Sequence, residues 1–200
     1  MPKISEAVMG QLEEALGTMN VGMALIQEPY TRHGKVSGFS KNVKNSRVYL
    51  KSVGHTCCNC LYITKHHSNF IASIHRPISS SVRGESTWRG TLCAVSAYIP
   101  PGHEFSEFLV HLSKLENTFD HLRGSAVVLG ADLNAKSFEW FSGEVYKRGE
   151  RFEELIARNN LYVINTESMH TTFWTPNRGE SNIDATITNS KTLTSSVSGE

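Results

Sequence analysis

Three carboxylates, an amide and a phenol stand at the ends of apolar runs in this chain, and the chemistry they share is that of a hard cation beside a phosphate. The most informative stretch is Ser125 to Ser137, S-A-V-V-L-G-A-D-L-N-A-K-S. Its run Ala126–Leu129 is β-branched and too short for a helix, so it reads as a covered strand, and alternation puts Asp132 and Asn134 on one side of it. Polar groups just past the carboxyl end of such a strand lie where α/β sheets hold their ligands. Asp supplies negative oxygen and Asn both accepts and donates, which suits a hard cation next to a phosphoryl or hydroxyl group. D-L-N-A equally fits an ordinary turn with an Asx cap.

The other groups follow the same pattern. Glu28 closes the apolar run Met23–Ile26 within Q-E-P-Y, Tyr98 closes L-C-A-V-S-A-Y ahead of a Pro-Pro break, and Asp184 sits in the alternating S-N-I-D-A-T-I-T. Taken singly, Glu28 also reads as a solvated strand end and Tyr98 as a packed phenol with its hydroxyl satisfied. Folding alone does not require acids on three separate strands. Together they suggest a Mg²⁺ site, in which few carboxylates and several waters clamp a phosphate while neighbouring groups place the attacking water.

The elements that must hold these groups can be read in order. Ser5, then Val8, Leu12, Ala15 and Leu16 at helical spacing with Gly17 beyond, predict an amphipathic helix whose stripe covers a sheet. Val48–Leu50, Leu61–Thr64, Phe70–Ile74 and Leu92–Tyr98 read as strands in antiparallel pairings, and Ser79–Arg89 as an exposed connection. Phe105, Phe108, Leu112, Leu115 and Phe119 mark a helix leading into the Asp132 strand. Lys136–Gly149 reads as a loop, Phe152, Leu155 and Ile156 as a further helix, and Leu161–Asn165 as a strand. This alternation predicts an α/β sheet protein.

With 200 residues, 39% of them hydrophobic, the chain supports a single domain over residues 1–200. A net charge of +1 leaves no general basic field, so nucleic-acid contact must rest on a local patch. No membrane span or secretory leader is legible, which predicts a soluble intracellular chain. Cys57, Cys58, Cys60 and Cys93, even with His55, His66 and His67 nearby, lack the paired spacing of a structural zinc site and read as free thiols. Arg83, Trp88 and Arg89, and the loop carrying Trp140, Lys147 and Arg148, offer phosphate contacts and a stacking wedge, or simply solvated loop charges around a tucked aromatic.

In order, A-L-I-Q-E-P-Y, V-S-A-Y-I-P-P, G-A-D-L-N-A-K-S and S-N-I-D-A-T resemble the endonuclease/exonuclease/phosphatase superfamily. More narrowly they resemble the apurinic-type endonuclease domain of non-LTR retrotransposons, over about Met23 to Thr188. The resemblance implies a DNase I-like, four-layered α/β sandwich of two mixed sheets flanked by helices. It implies a DNA-nicking activity that primes reverse transcription and depends on Mg²⁺, with Mn²⁺ as the alternative ion. Glu28 would bind the metal, Tyr98 contact the scissile phosphate, Asp132 orient or deprotonate the water, and Asn134 hydrogen-bond the phosphate. Asp184 would pair with a catalytic His; the candidate DNA contacts Arg83, Arg89 and Arg148 rest on the local patches above and not on the resemblance. Double-stranded DNA is the implied partner, a reverse transcriptase domain is expected in the parent polyprotein, and nuclear action follows.

The chain departs from the family pattern in having no Ser-Asp-His motif, and Met1–Ile4 is too short for the usual opening strand with its Asn. It is therefore read as incomplete at both ends, without the terminal strands and with little nicking activity by itself. The alternatives are a catalytically dead remnant that binds DNA and a phosphatase of the same superfamily.

Overall fold

In the computed structural model, which describes residues 5–19, 21–33, 35–39, 46–53, 56–64, 70–73, 79–85, 91–167, 171–176 and 179–197, the chain opens with a capped helix. The Ser5 hydroxyl accepts a hydrogen bond from the Val8 amide at 3.3 Å and starts α1 (Glu6–Thr18). Met9 and Leu16, one heptad apart, are the buried positions, and Leu16 packs on Ile26 of β1 (Met23–Gln27). Val8, expected on that stripe, is 48% exposed, because the buried face is centred one residue further along.

After the short hairpin of β2 (Thr31–Arg32) and β3 (Lys35–Val36) come β4 (Ser46–Val53) and β5 (Thr56–Thr64). A three-stranded sheet forms in the order β1-β5-β4, antiparallel throughout. A second sheet then uses β6 (Phe70–Ser73), β7 (Ser79–Glu85) and β8 (Thr91–Tyr98). The crossover helix α2 (Phe105–His121) returns the chain to β9 (Ala126–Asp132), which pairs parallel with β8. Next come α3 (Lys147–Arg158), β10 (Tyr162–Val163), the hairpin β11 (Phe173–Thr175) and β12 (Gly179–Ser181), β13 (Asp184–Thr188) and α4 (Lys191–Val197). The six-stranded order is β10-β13-β9-β8-β7-β6.

Along β9 the two faces do different work. Val127, Leu129 and Ala131 are buried in the main core with Phe108 and Leu115 of α2 and with Phe152 and Leu155 of α3. On the opposite face, Gly130 meets Leu25 of β1. The layers are therefore α1, the three-stranded sheet, the six-stranded sheet, and α2 with α3. This is the expected four-layered α/β sandwich, except that only the larger sheet is mixed.

Two expectations are corrected. Of Ser79–Arg89, read as a connection, Ser79–Glu85 forms a strand between β6 and β8 while 86–89 lie outside the described residues; its run of Ser hides the apolar alternation on which strand patterns depend. Lys136–Gly149 is not a plain loop: it contains a 3-10 turn at Phe138–Trp140, and α3 begins at Lys147, ahead of its first large apolar residue. Among the described residues, no helix is long and apolar enough to cross a membrane.

Candidate functional site

The strand register brings the predicted groups together. Tyr98 of β8 and Asp184 of β13 are both cross-strand partners of Asp132 on β9, so the three form one row across the larger sheet. One step below lies a second row, Ser96, Gly130 and Thr186, on the same face. There β1 crosses so closely that a Cβ on Gly130 would sit 2.9 Å from Leu25 Cδ1. The upper row thus projects just past the end of β1, where the next residue, Glu28, takes a left-handed φ of 48° and leaves the strand direction. The Tyr98 hydroxyl donates to Glu28 Oε1 at 2.6 Å. This contact closes the site between the two sheets.

Crowding sets the electrostatics. Asp132 is pushed up to about 7, mainly by burial and then by the neighbouring charges of Asp184 and Glu28, against the opposing hydrogen bond from the Asn134 amide. Asp184 is also raised by burial, and the Thr172 hydroxyl partly offsets this by donating to it. Two acids on adjacent strands that both resist ionisation favour a neighbouring cation or a shared proton.

Asn134 reaches the site by a route that strand alternation does not supply. β9 ends at Asp132, and Asn134 has a left-handed φ of 49°, which folds its side chain back. Its amide N–H donates to Asp132 Oδ1 at 3.2 Å, and its Nδ2 donates to that oxygen at 3.0 Å and to the Ile99 carbonyl at 3.1 Å. The Asx turn and the site residue are therefore one structure. Both Nδ2 protons are engaged, so in this geometry Asn134 orients Asp132, and a phosphate would have to compete for one of them.

Further residues that the sequence reading did not single out support this row. Asn182 is 5% exposed, accepts from the Thr172 amide at 3.1 Å, and donates to the Phe141 carbonyl at 3.0 Å. Asn165 donates to the Asp184 carbonyl at 3.1 Å and accepts from the Thr186 amide at 2.7 Å, fixing the start of β13. Gln27 Nε2 donates to Ser96 Oγ and to the Gly130 carbonyl, each at 3.2 Å. An Asn beside an Asp, as in S-N-I-D, was the available signal; side-chain amides that bridge separate elements leave no periodic trace.

The expected DNA contacts fare differently. Arg83 lies on β7 opposite Cys93, while Trp88 and Arg89 lie outside the described residues. Arg148 is half-buried: its guanidinium donates to the carbonyls of Pro100 and Pro101 at 3.2 Å each and to that of His103 at 2.5 Å, and lies 5.1 Å from the centre of the Phe108 ring. Trp140 is not an exposed wedge but a core residue, 1% exposed, donating from Nε1 to the Ala135 carbonyl at 3.0 Å. Phe138 and Phe141 beside it are exposed, as is Tyr146 further along the segment.

Among the described residues, no three His, Cys, Asp or Glu side chains are close enough to hold one ion together. The donors at the upper row are nonetheless all hard oxygens, with Glu28 exposed at its open edge. That suits a hard divalent cation that keeps several waters and takes one or two carboxylates together with a phosphate, and not the enclosing cage of a structural metal.

Residues 92–200, from β8 onward and including Tyr98, Asp132, Asn134 and Asp184, match the family described as endonuclease-reverse transcriptase. Among solved structures the chain is similar to the endonuclease domain of TRAS1, a telomere-specific non-LTR retrotransposon. That match has 22% identity and a TM-score of 0.74, over 94% of this chain and 82% of that one. It is also similar to truncated TDP2 of Caenorhabditis elegans (13%, TM-score 0.63, 94% and 78%) and to a humanized TDP2 of D. rerio (10%, TM-score 0.59, 92% and 77%). No curated protein sequence matches it. With more than half of its length in that match and the four layers of those folds, the chain belongs to the endonuclease-reverse transcriptase family of the endonuclease/exonuclease/phosphatase superfamily.

Proposed function

We propose that the chain is the endonuclease domain of a non-LTR retrotransposon, a divalent-cation-dependent hydrolase that nicks double-stranded target DNA so that the freed 3′ hydroxyl primes reverse transcription. One observation carries the reading. Glu28 from one sheet meets Tyr98 from the other at 2.6 Å, beside an Asp132 whose carboxyl is pushed up to about 7.

Each residue then has a task. Asp132, ionised in an appreciable fraction at neutral pH, takes the proton of the attacking water, for which a value near the working pH is the effective one. Asn134 fixes the direction of that carboxylate through its two bonds to Oδ1. Tyr98, whose hydroxyl donates to Glu28, presents a phenol to the scissile phosphate. Glu28 would hold Mg²⁺, or Mn²⁺ in its place, and the ion when bound supplies Lewis-acid polarisation of a phosphoryl oxygen. Asp184, held by Thr172 and Asn165, keeps the acids crowded and awaits an imidazole, which no Ser-Asp-His motif in these residues provides. On this reading the substrate is chromosomal DNA in the nucleus, and a reverse transcriptase domain of the parent polyprotein uses the product.

Conversion of supercoiled plasmid to the nicked circle, with Mg²⁺ and with EDTA, tests it. Asp132→Asn and Glu28→Ala should each cost roughly two to four powers of ten in rate. Nicking that survives EDTA, or that Asp132→Asn leaves intact, would reject the mechanism. Duplex binding without nicking would favour the binding-only remnant.

A further inference from the structure

We propose that Gln27 is a positioning residue, whose carboxamide ties β1 to the row directly beneath the site and so holds Glu28 against Tyr98 and Asp132. The inference rests on the reading of Glu28 as the metal-holding residue and deepens it. Nε2 has two protons, and each has an acceptor on a different strand of the larger sheet: Ser96 Oγ on β8 and the Gly130 carbonyl on β9. Ser96 stands two residues before Tyr98, and Gly130 two before Asp132. A single side chain therefore grips both strands one step below their site residues, and the residue after it on β1 is Glu28.

The surroundings make the grip specific. Ser96 is fully buried, and the sheets approach so closely at Gly130 that a Cβ there would be 2.9 Å from Leu25 Cδ1 and 3.7 Å from Gln27 Nε2. Amide donors placed in such a gap are costly to leave unpaired, so the Gln27 carboxamide has one favoured placement. That placement matters because Glu28 has a left-handed backbone, which a side chain adopts only where its neighbours hold it. Gln27 lies on the near side of that bend, and the Tyr98 hydroxyl binds on the far side.

The test compares the whole chain with Gln27→Met, which keeps the length and loses both donors, and with Ile26→Ala, which removes packing against α1 on the other face of the same strand. Ser96→Ala removes one acceptor without touching β1 and stands in should Gln27→Met fail to fold. Two quantities are read: metal-free amide exchange at Glu28 and Tyr30, and the dissociation constant for Mn²⁺. Gln27→Met should speed exchange at those two amides selectively and weaken Mn²⁺ about tenfold, as loss of a supporting hydrogen bond behind a metal ligand does. Ser96→Ala should shift both in the same direction by less, and Ile26→Ala should lower the unfolding midpoint while leaving both within about twofold of the parent.

Unchanged exchange at Glu28 in Gln27→Met overturns the inference, whatever the metal data show. So does an Ile26→Ala variant that matches it, since the role would then be ordinary packing. Failure of the parent chain to bind Mn²⁺ overturns the reading of Glu28 instead, and the exchange measurement, made without metal, keeps the two failures apart.

Discussion

Asp132 carries a stability cost that its position makes measurable. Its folded value of about 7 lies above the ordinary 3.8, so the folded chain holds this proton more tightly than the unfolded chain does. The resulting stabilisation is complete below about 3.8 and is lost as pH rises towards 7. At one pKa unit per 1.36 kcal/mol the loss amounts to at most about 4 kcal/mol, and the raised Asp184 acts in the same direction. In EDTA, urea denaturation should find the chain less stable at pH 8 than at pH 5. Asp132→Asn, which keeps the acceptor that Asn134 uses, should narrow that difference; equal gaps in both proteins would mean that Asp132 titrates normally. The residues of this row were legible in the sequence because acids and a phenol at the ends of apolar runs contradict what folding alone asks for. Asn134 was found for an incomplete reason, since its left-handed turn and not alternation brings it to Asp132. Trp140 was left open between a stacking wedge and a tucked aromatic because burial of a Trp depends on a partner elsewhere in the chain, here Phe152 at 5.6 Å between ring centres and the Ala135 carbonyl.

At the level of elements, the site depends on how α3 is docked. Gly149, in the first turns of α3, is buried under the segment that follows Asn134: a Cβ there would lie 1.9 Å from the Lys136 carbonyl oxygen and 2.8 Å from its carbon. Backbone cannot yield as a side chain can, so Gly149→Ala should destabilise by about 3 kcal/mol or more, with loss of nicking from displacement of the Asp132–Asn134 turn. A variant as stable as the parent would show that α3 can shift freely. Arg148, one residue earlier, separates two roles by substitution with Lys. If its charge serves DNA, Arg148→Lys keeps binding and its salt dependence; if its fork serves the Pro100–His103 carbonyls, Lys cannot span the three acceptors and the unfolding midpoint should fall. The geometry predicts the second outcome, a loss of about 1 to 3 kcal/mol with an unchanged salt slope. α1, α2, α3 and most strands were legible from periodicity; α4 was not, since K-T-L-T-S-S-V carries only Leu193 and Val197 as apolar residues. β7 was not, because S-S-S-V-R-G-E offers one branched apolar residue, and its place between β6 and β8 is decided by pairing with neighbours and not by its own composition.

At the scale of the whole molecule, the site is a seam. Glu28 follows directly on β1 of the three-stranded sheet, Tyr98, Asp132 and Asp184 belong to the six-stranded sheet, and Gln27 with Ser96 and Gly130 stitches the two just below. The sequence made the acids visible but not this arrangement, because which sheet a strand joins is fixed by long-range pairing such as Met23 with Ile63. A seam of acids repels across itself, and a divalent cation bound at Glu28 would turn that repulsion into a clamp between the sheets. Anything that binds the folded chain alone stabilises it by mass action, about 2.7 kcal/mol at a hundred times its dissociation constant. Mg²⁺ or Mn²⁺ should therefore raise the unfolding midpoint of the parent chain and not that of Glu28→Ala. The shift should be larger at pH 8 than at pH 6, because protons compete with the cation for a site whose Asp132 titrates near 7. Calorimetric melting across a cation series at the two pH values decides the matter. A shift that Glu28→Ala retains would place the ion elsewhere, and one independent of pH would uncouple it from Asp132.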